Sequence, residues 1–227
     1  MKAYTSNNIR NIAVLGHGGK GKTTLCEAML YIAGASDRLG RVADGNTVLD
    51  FDSEEKRRKS SVSSAIAALE WDNTKLNIID APGLFDFEGG AAEAVRAAEA
   101  VLIVTSAGSG VDVGTEKAFR AAEKKGAAKF FAVTKTDSDH RNFYKTFDAL
   151  KEVYGNKLCP TIIPYMEGNI TKCYVNLMTG MAFSYDENGK ATKVPVPEDS
   201  VIEEMTSAFM EAVATTDDAL MEKFFEG

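Results

Sequence analysis

The nine residues Gly16-His-Gly-Gly-Lys-Gly-Lys-Thr-Thr24 constrain this chain more than any other stretch. They fit the pattern Gly, any four residues, Gly-Lys-Thr. The apolar run Ile12-Ala-Val-Leu15 precedes them directly, and Leu25-Cys-Glu-Ala-Met-Leu-Tyr-Ile-Ala33 follows with apolar residues at helical spacing. A buried strand, a glycine-rich loop and a helix in that order aim backbone N–H groups and the positive end of a helix dipole at one point, which suits phosphate. Gly16, His17, Gly18, Gly19, Lys20 and Gly21 form the cradle, and only glycine lets the backbone approach an anion so closely. Lys22 adds a full positive charge, the Thr23 hydroxyl is a candidate magnesium ligand, and Thr24 leads into the helix.

The remaining elements give this loop a setting. Residues 34–64 are rich in Gly, Asp, Ser, Lys and Arg without periodicity, and the mixed charges of Asp50-Phe-Asp-Ser-Glu-Glu-Lys-Arg-Arg-Lys-Ser-Ser61 read as a solvated, conditionally ordered segment. Residues 62–71 and 75–80 read as two strands joined by a turn at Asp72-Asn73-Thr74. A helix over 91–100, a strand over 101–105, a helix over 114–125 capped by Gly126, a strand over 129–134 and a helix over 139–154 ending at Gly155 follow. This alternation predicts an α/β fold, a mainly parallel sheet with helices on both faces. Past Cys159 the pattern changes to short strands over 161–165, 170–176 and 181–185, a turn at Glu187-Asn-Gly-Lys190, and one long helix over 198–225 after Pro195 and Pro197. We therefore expect a nucleotide-binding core over 1–158 and a small α+β subdomain over 159–227.

Composition excludes some partners. A chain of 227 residues that is 44% hydrophobic can bury a sizeable core, whereas a net charge of −7 argues against direct nucleic-acid binding by this region. Cys26, Cys159 and Cys173 are odd in number and lack paired metal spacing, as reduced thiols of a cytoplasmic protein would be. The N-terminus carries no apolar run of signal-peptide length, and no later stretch could span a bilayer.

Two further motifs fall at the C-terminal ends of strands, where ligands of such sheets bind. Asp80-Ala-Pro-Gly83 offers a carboxylate for magnesium and, in Gly83, an N–H for a terminal phosphate. Thr134-Lys-Thr-Asp137 offers a carboxylate, Asp137, that accepts hydrogen bonds from the ring N–H and exocyclic amine of guanine but is repelled by the ring acceptor of adenine. Lys135 would lie along the base and brace the phosphate loop.

In this register the chain resembles the N-terminal GTP-binding region of translational GTPases, most of all elongation factor G and its paralogues. The resemblance covers essentially the whole chain. It runs through the phosphate loop, Asp80-Ala-Pro-Gly83 with Asp86-Phe87, Ala118-Phe-Arg-Ala-Ala-Glu-Lys-Lys-Gly126 and Thr134-Lys-Thr-Asp137, then residues 161–186 with Leu177, Thr179 and Gly180, Val194-Pro-Val-Pro197 and Leu220-Met-Glu-Lys-Phe-Phe225. It implies a P-loop GTPase core lacking its last strand and helix, an inserted subdomain, bound GTP or GDP with Mg²⁺, and a ribosome engaged through domains absent from this chain. The family's fifth motif, a Ser-Ala loop, lies beyond the insertion.

Three departures from the family pattern bear on chemistry. The magnesium-binding threonine of the first switch aligns with Ser61, with Ser60 and Ser63 as alternatives in the same loop. Leu84 occupies the place of the histidine that orients the attacking water. Of the two histidines, His17 reads as a bystander in the phosphate loop and His140 as a solvated helix residue. Thr134 replaces an asparagine, which predicts weaker nucleotide binding. Two functions remain open: a slow, ribosome-stimulated GTP hydrolase with Lys22 and Gly83 at the reacting phosphate, or a GTP/GDP switch with little or no hydrolysis.

Overall fold

A computed structural model describes residues 2–137, 142–155, 158–168, 170–186 and 189–226, together with the backbone but not the side chain of Lys223. It falls into two compact units, Met1–Lys135 and Thr136–Gly227, and each is taken by itself.

The first unit is built on five strands, β1 (Ile9–Leu15), β2 (Ala65–Trp71), β3 (Thr74–Asp80), β4 (Ala100–Ser106) and β5 (Ala128–Thr134), in the order β2-β3-β1-β4-β5. β1 pairs in parallel with β3 and β4, and β4 with β5; only β2 runs antiparallel. The β2–β3 hairpin turns on Asp72 and Asn73, whose φ values of 45° and 57° are the paired left-handed conformations of a tight two-residue hairpin. Side chains of consecutive strand residues point to opposite faces. Ala13, Leu15, Ile79, Val101 and Ile103 therefore bury against α3 (Glu88–Ala97) and α4 (Val113–Lys125) through Ala94, Val95, Ala118 and Ala122. Val14, Ile78 and Val104 pack the other way, onto Cys26 and Leu30 of α1 (Lys22–Ile32). Gly126 caps α4 with φ of 71°.

The segment expected to be solvated is instead anchored. Asp52 and Glu55 form a capping box on a short helix, α2 (Ser53–Arg58), in which Asp52 accepts from the Glu54 N–H and Glu55 from the Asp52 N–H. Glu55 is only 2% exposed and also accepts the N–H groups of Val62 and Ser63. Glu27 of α1 accepts those of Val48 and Leu49. Charge here is not a sign of solvation, because the carboxylates satisfy main-chain donors that a loop would otherwise leave unpaired.

The second unit opens with α5 (Phe143–Tyr154), capped by Asn142. An antiparallel sheet follows in the order β6 (Ile162–Glu167), β7 (Ile170–Asn176), β8 (Met181–Tyr185), β9 (Ala191–Val194). β9 escaped the sequence reading because it is a short edge strand, mostly exposed, without apolar alternation. Ile163, Cys173, Val175 and Ala182 bury against Ile202 of α6 (Ser200–Ala214). The single long helix expected over 198–225 is two, α6 and α7 (Asp218–Glu226). The hydroxyls of Thr215 and Thr216 donate to the carbonyls of Ala212 and Val213, and Asp217 accepts the N–H groups of Ala219 and Leu220, so one helix ends and the next is capped within three residues. His140, the first residues of the helix expected from 139, and Glu187 and Asn188 of the expected turn lie outside the described residues. Among the described residues no helix is long and apolar enough to cross a membrane.

Candidate functional site

Parallel pairing puts the C-terminal ends of β1, β3, β4 and β5 at one rim of the sheet, and every motif of the first unit singled out above leaves from that rim. The loop after β1 lies directly on the sheet. Gly16 has φ of 138°, and a Cβ there would stand 2.2 Å from the Val104 carbonyl oxygen, so no other residue fits. Gly21, with φ of 89°, is the N-cap of α1. The next residue, Lys22, is 6% exposed and donates to the His17 carbonyl at 3.1 Å. Its ammonium also lies against Gly83, where a Cβ would be 2.2 Å from Nζ. The phosphate loop and the Asp80-Ala-Pro-Gly83 loop are thus in main-chain contact.

Below this cradle runs a chain of oxygen atoms. The Thr23 hydroxyl donates to Asp80 Oδ2 at 2.6 Å and stands 3.2 Å from the Ser61 hydroxyl, which donates to Asp50 Oδ1 at 2.7 Å. All four residues are buried. Asp80 Oδ1 and Asp50 Oδ2 have no hydrogen-bond partner among the described residues. Burial pushes the Asp80 carboxyl up to about 7, against the pull of the Thr23 hydrogen bond and of Lys22, with Asp50 and Glu27 adding to the rise. Burial also raises Asp50, opposed first by its Ser61 hydrogen bond, and lowers Lys22, opposed chiefly by Asp80. Two hydroxyls and two under-partnered carboxylates make a hard-oxygen set that fits magnesium, and a divalent ion would restore the charged state of Asp80. Of the three serines considered, Ser61 is the one in contact with Thr23, while Ser60 also lines the cavity above.

That cavity, about 200 Å³, is lined by Gly18, Gly19, Gly21, Lys22, Thr23 and Thr24 of the phosphate loop and α1, by Gly83 and Lys135, and by Val42, Asp50, Lys59, Ser60 and Ser61 of the anchored loop. Lys20 forms an ion pair with Asp112 at 3.1 Å, tying the phosphate loop to the start of α4. The His17 ring makes an edge contact with Phe85 at 5.5 Å and does not line the cavity; it is the His17 carbonyl that meets Lys22. Leu84 is 39% exposed, with a side-chain methyl 2.9 Å from where a Cβ on Gly18 would stand.

The last motif braces the same loop. The Thr134 hydroxyl lies 2.6 Å from the Lys20 carbonyl and 3.1 Å from that of Thr105, and Lys135, at φ of 57°, donates from Nζ to the Gly19 carbonyl at 2.7 Å. Thr134 therefore keeps a bond to the loop although it has no amide. Asp137 lies in an exposed turn of the second unit. Sequence reasoning missed Asp50, Lys59 and Asp112. The pattern Asp52-Ser-Glu-Glu55, a capping-box signature, could have shown that the charged loop is folded.

Residues 7–222 match the elongation factor Tu GTP binding domain family. An elongation factor G-like protein of Mycobacterium tuberculosis is 33% identical over 222 residues, covering 96% of this chain and 30% of that protein. Elongation factor G of Mycoplasma genitalium is 30% identical over 97% of this chain and 33% of its own length. A crystal structure of a Thermus thermophilus protein superposes with a TM-score of 0.90 at 36% identity, over 96% of this chain and 33% of that one. The chain thus spans about a third of the length of these relatives. On the strength of the match over residues 7–222, this chain belongs to the elongation factor Tu GTP binding domain family.

Proposed function

We propose that the chain binds GTP and GDP with Mg²⁺ as the nucleotide-binding part of a cytoplasmic, elongation factor G-like translation factor, and that it hydrolyses GTP slowly, stimulated by the ribosome. The observation that carries the reading is the convergence of Lys22, Thr23, Ser61, Asp50 and Gly83 on one cavity at the strand ends. In this reading Thr23, Ser61 and Asp80 hold the magnesium ion, which when bound neutralises charge on the outer phosphates. Lys22 neutralises charge on the same oxygens, the backbone N–H groups of residues 16–24 orient the phosphates, and the Gly83 N–H meets the terminal one. Lys135 and Thr134 hold the loop, and Asp137 selects guanine. Residues 1–158 form the nucleotide core and residues 159–227 an inserted subdomain, with ribosome contacts made through domains outside this chain and no nucleic acid bound by it directly.

Titration of labelled GDP with Mg²⁺ present and ADP as competitor, repeated on Asp137→Ala, tests the reading. Guanine-selective binding that the substitution abolishes supports it; binding indifferent to the base, or none, overturns it.

Leu84 favours a second reading, a GTP/GDP switch with little or no hydrolysis. An aliphatic side chain beside Gly18 can neither donate to nor accept from a water molecule. Ribosome-stimulated phosphate release separates the two, since a switch of this kind releases none.

A further inference from the structure

Three lysines line the phosphate cavity, and the ammonium group of each rests on a main-chain carbonyl. Lys22 donates to His17 at 3.1 Å, Lys135 to Gly19 at 2.7 Å and Lys59 to Ala43 at 2.5 Å. Among the described residues none of the three lies within 4.0 Å of a carboxylate, in contrast to Lys20, whose ammonium is taken by Asp112. A cation satisfied only by one neutral oxygen keeps two donors and most of its charge for an incoming anion. Lys22 and Lys135 belong to motifs already assigned to the nucleotide. Lys59 lies two residues before Ser61 in the first-switch stretch and has no role of its own assigned there.

Its backbone sharpens the question. Lys59 is the C-cap of α2 at φ of 55°, a left-handed position that glycine takes without strain and a lysine does not. Nor does the side chain fill a core, since Lys59 is exposed. It instead crosses back toward the 3-10 turn Val42–Asp44, and the Lys59 ammonium stands 3.8 Å from where a Cβ on Gly45 would be. The neighbouring Ser60 and Ser61 line the same cavity, and Ser61 is held by Thr23 and Asp50. The cation is therefore carried to the phosphate site by the one loop that also supplies the Ser61 hydroxyl.

We propose that Lys59 is a third phosphate-binding lysine, which exchanges the Ala43 carbonyl for phosphate oxygens of the bound nucleotide and so fastens residues 39–63 over it. The proposal rests on the nucleotide reading given above. It makes the loop itself a source of positive charge, so the phosphates are clamped from both sides: Lys22 and Lys135 on the cradle, Lys59 on the cover.

Lys59→Gly, Lys59→Met and Lys59→Arg test it, with a labelled non-hydrolysable GTP analogue titrated with Mg²⁺ at low and high salt. Glycine suits the left-handed backbone, so loss of binding in Lys59→Gly cannot come from strain. We expect Lys59→Gly and Lys59→Met to bind about tenfold more weakly, as loss of one charge-assisted contact predicts. Both variants should show a shallower salt dependence than the parent, and Lys59→Arg should recover most of the affinity. Unchanged affinity in Lys59→Gly, or an equal loss in Lys59→Met and Lys59→Arg, overturns the proposal and leaves the nucleotide reading intact. Failure of the parent protein to bind any guanine nucleotide overturns both.

Discussion

Glu27 Oε1 accepts the backbone N–H of Leu49 at 3.0 Å, and neither residue has more than 2% of its surface exposed. The same oxygen takes the Val48 N–H at 2.8 Å, so one carboxylate of α1 holds down the middle of the loop that lines the cavity. Glu27→Ala strands the buried Leu49 N–H, at a cost of about 1–3 kcal/mol for an unpaired buried donor, and frees the part-buried Val48 N–H at a smaller one. The expected result is a melting temperature lowered by several degrees and, below it, proteolysis confined at first to residues 39–64. Limited digestion read by mass spectrometry checks this. Cleavage spread evenly over the chain would show that Glu27 supports the core as a whole.

Thr134→Ala removes both hydroxyl contacts, to Lys20 and to Thr105. With about 1 kcal/mol for a typical net hydrogen bond, nucleotide affinity should fall roughly fivefold. Thr134→Asn should match or exceed the parent, because an amide can reach the same carbonyls. Competition binding against labelled GDP measures both variants side by side.

The strand-loop-helix around Lys22 and the alternation of the core strands were readable because they follow local rules: glycine spacing, two-residue periodicity, an apolar run feeding a loop. Asp50 was not, since a charged run gives no local sign of which carboxylate is buried on a distant hydroxyl; Glu55 had only the capping-box pattern Asp52-Ser-Glu-Glu55 to mark it. The break between α6 and α7 was written in Thr215, Thr216 and Asp217, three cap-forming residues in a row, and was hidden by the apolar periodicity on either side. β9 had no signal of its own, because its place depends on pairing with β8. The contact of Ser61 with Thr23 joins residues 38 apart in sequence, and no spacing rule reaches that far.

Leu84→His restores a group able to hold a water molecule at the position beside Gly18. On the hydrolase reading proposed above, ribosome-stimulated phosphate release should rise by about 10²-fold or more, the usual scale for a positioned acid–base side chain. GDP affinity should change little, because the Leu84 side chain does not line the phosphate cavity. An unchanged rate would mean that the missing histidine is not what limits turnover.

Asp80 gives a pH dependence whose sign follows from its burial. Its carboxyl titrates near 7 when folded and near 3.8 when exposed, so the folded chain holds the proton more tightly. The stability it contributes is complete below 3.8 and is lost as pH rises through 7. Lys22 and the Thr23 hydroxyl, which favour the charged form, and Asp50 and Glu27, which oppose it, are the groups that set this value. Without nucleotide and with metal removed by chelator, Asp80 should lower the melting temperature as pH rises from about 4 to about 7, and its contribution should level off above that. Asp80→Asn should flatten that slope, and a parent slope equal to that of the variant would refute the assignment. Added Mg²⁺ should stabilise the parent most at the alkaline end, where the carboxylate is free to bind it.

Beside the Lys22 ammonium, Gly83 faces the main chain of the phosphate loop with no side chain of its own between them, and a Cβ there would stand 2.8 Å from both the Gly16 carbonyl oxygen and the Gly18 nitrogen. Movement of one loop is therefore felt by the other through rigid peptide planes, with no rotamer available to absorb it. Such a joint has a short stroke and little slack. Side-chain substitution at Gly83 can destroy it but has no means of grading its response, so any tuning of the joint in this chain falls to the residues just beyond it, beginning with Leu84.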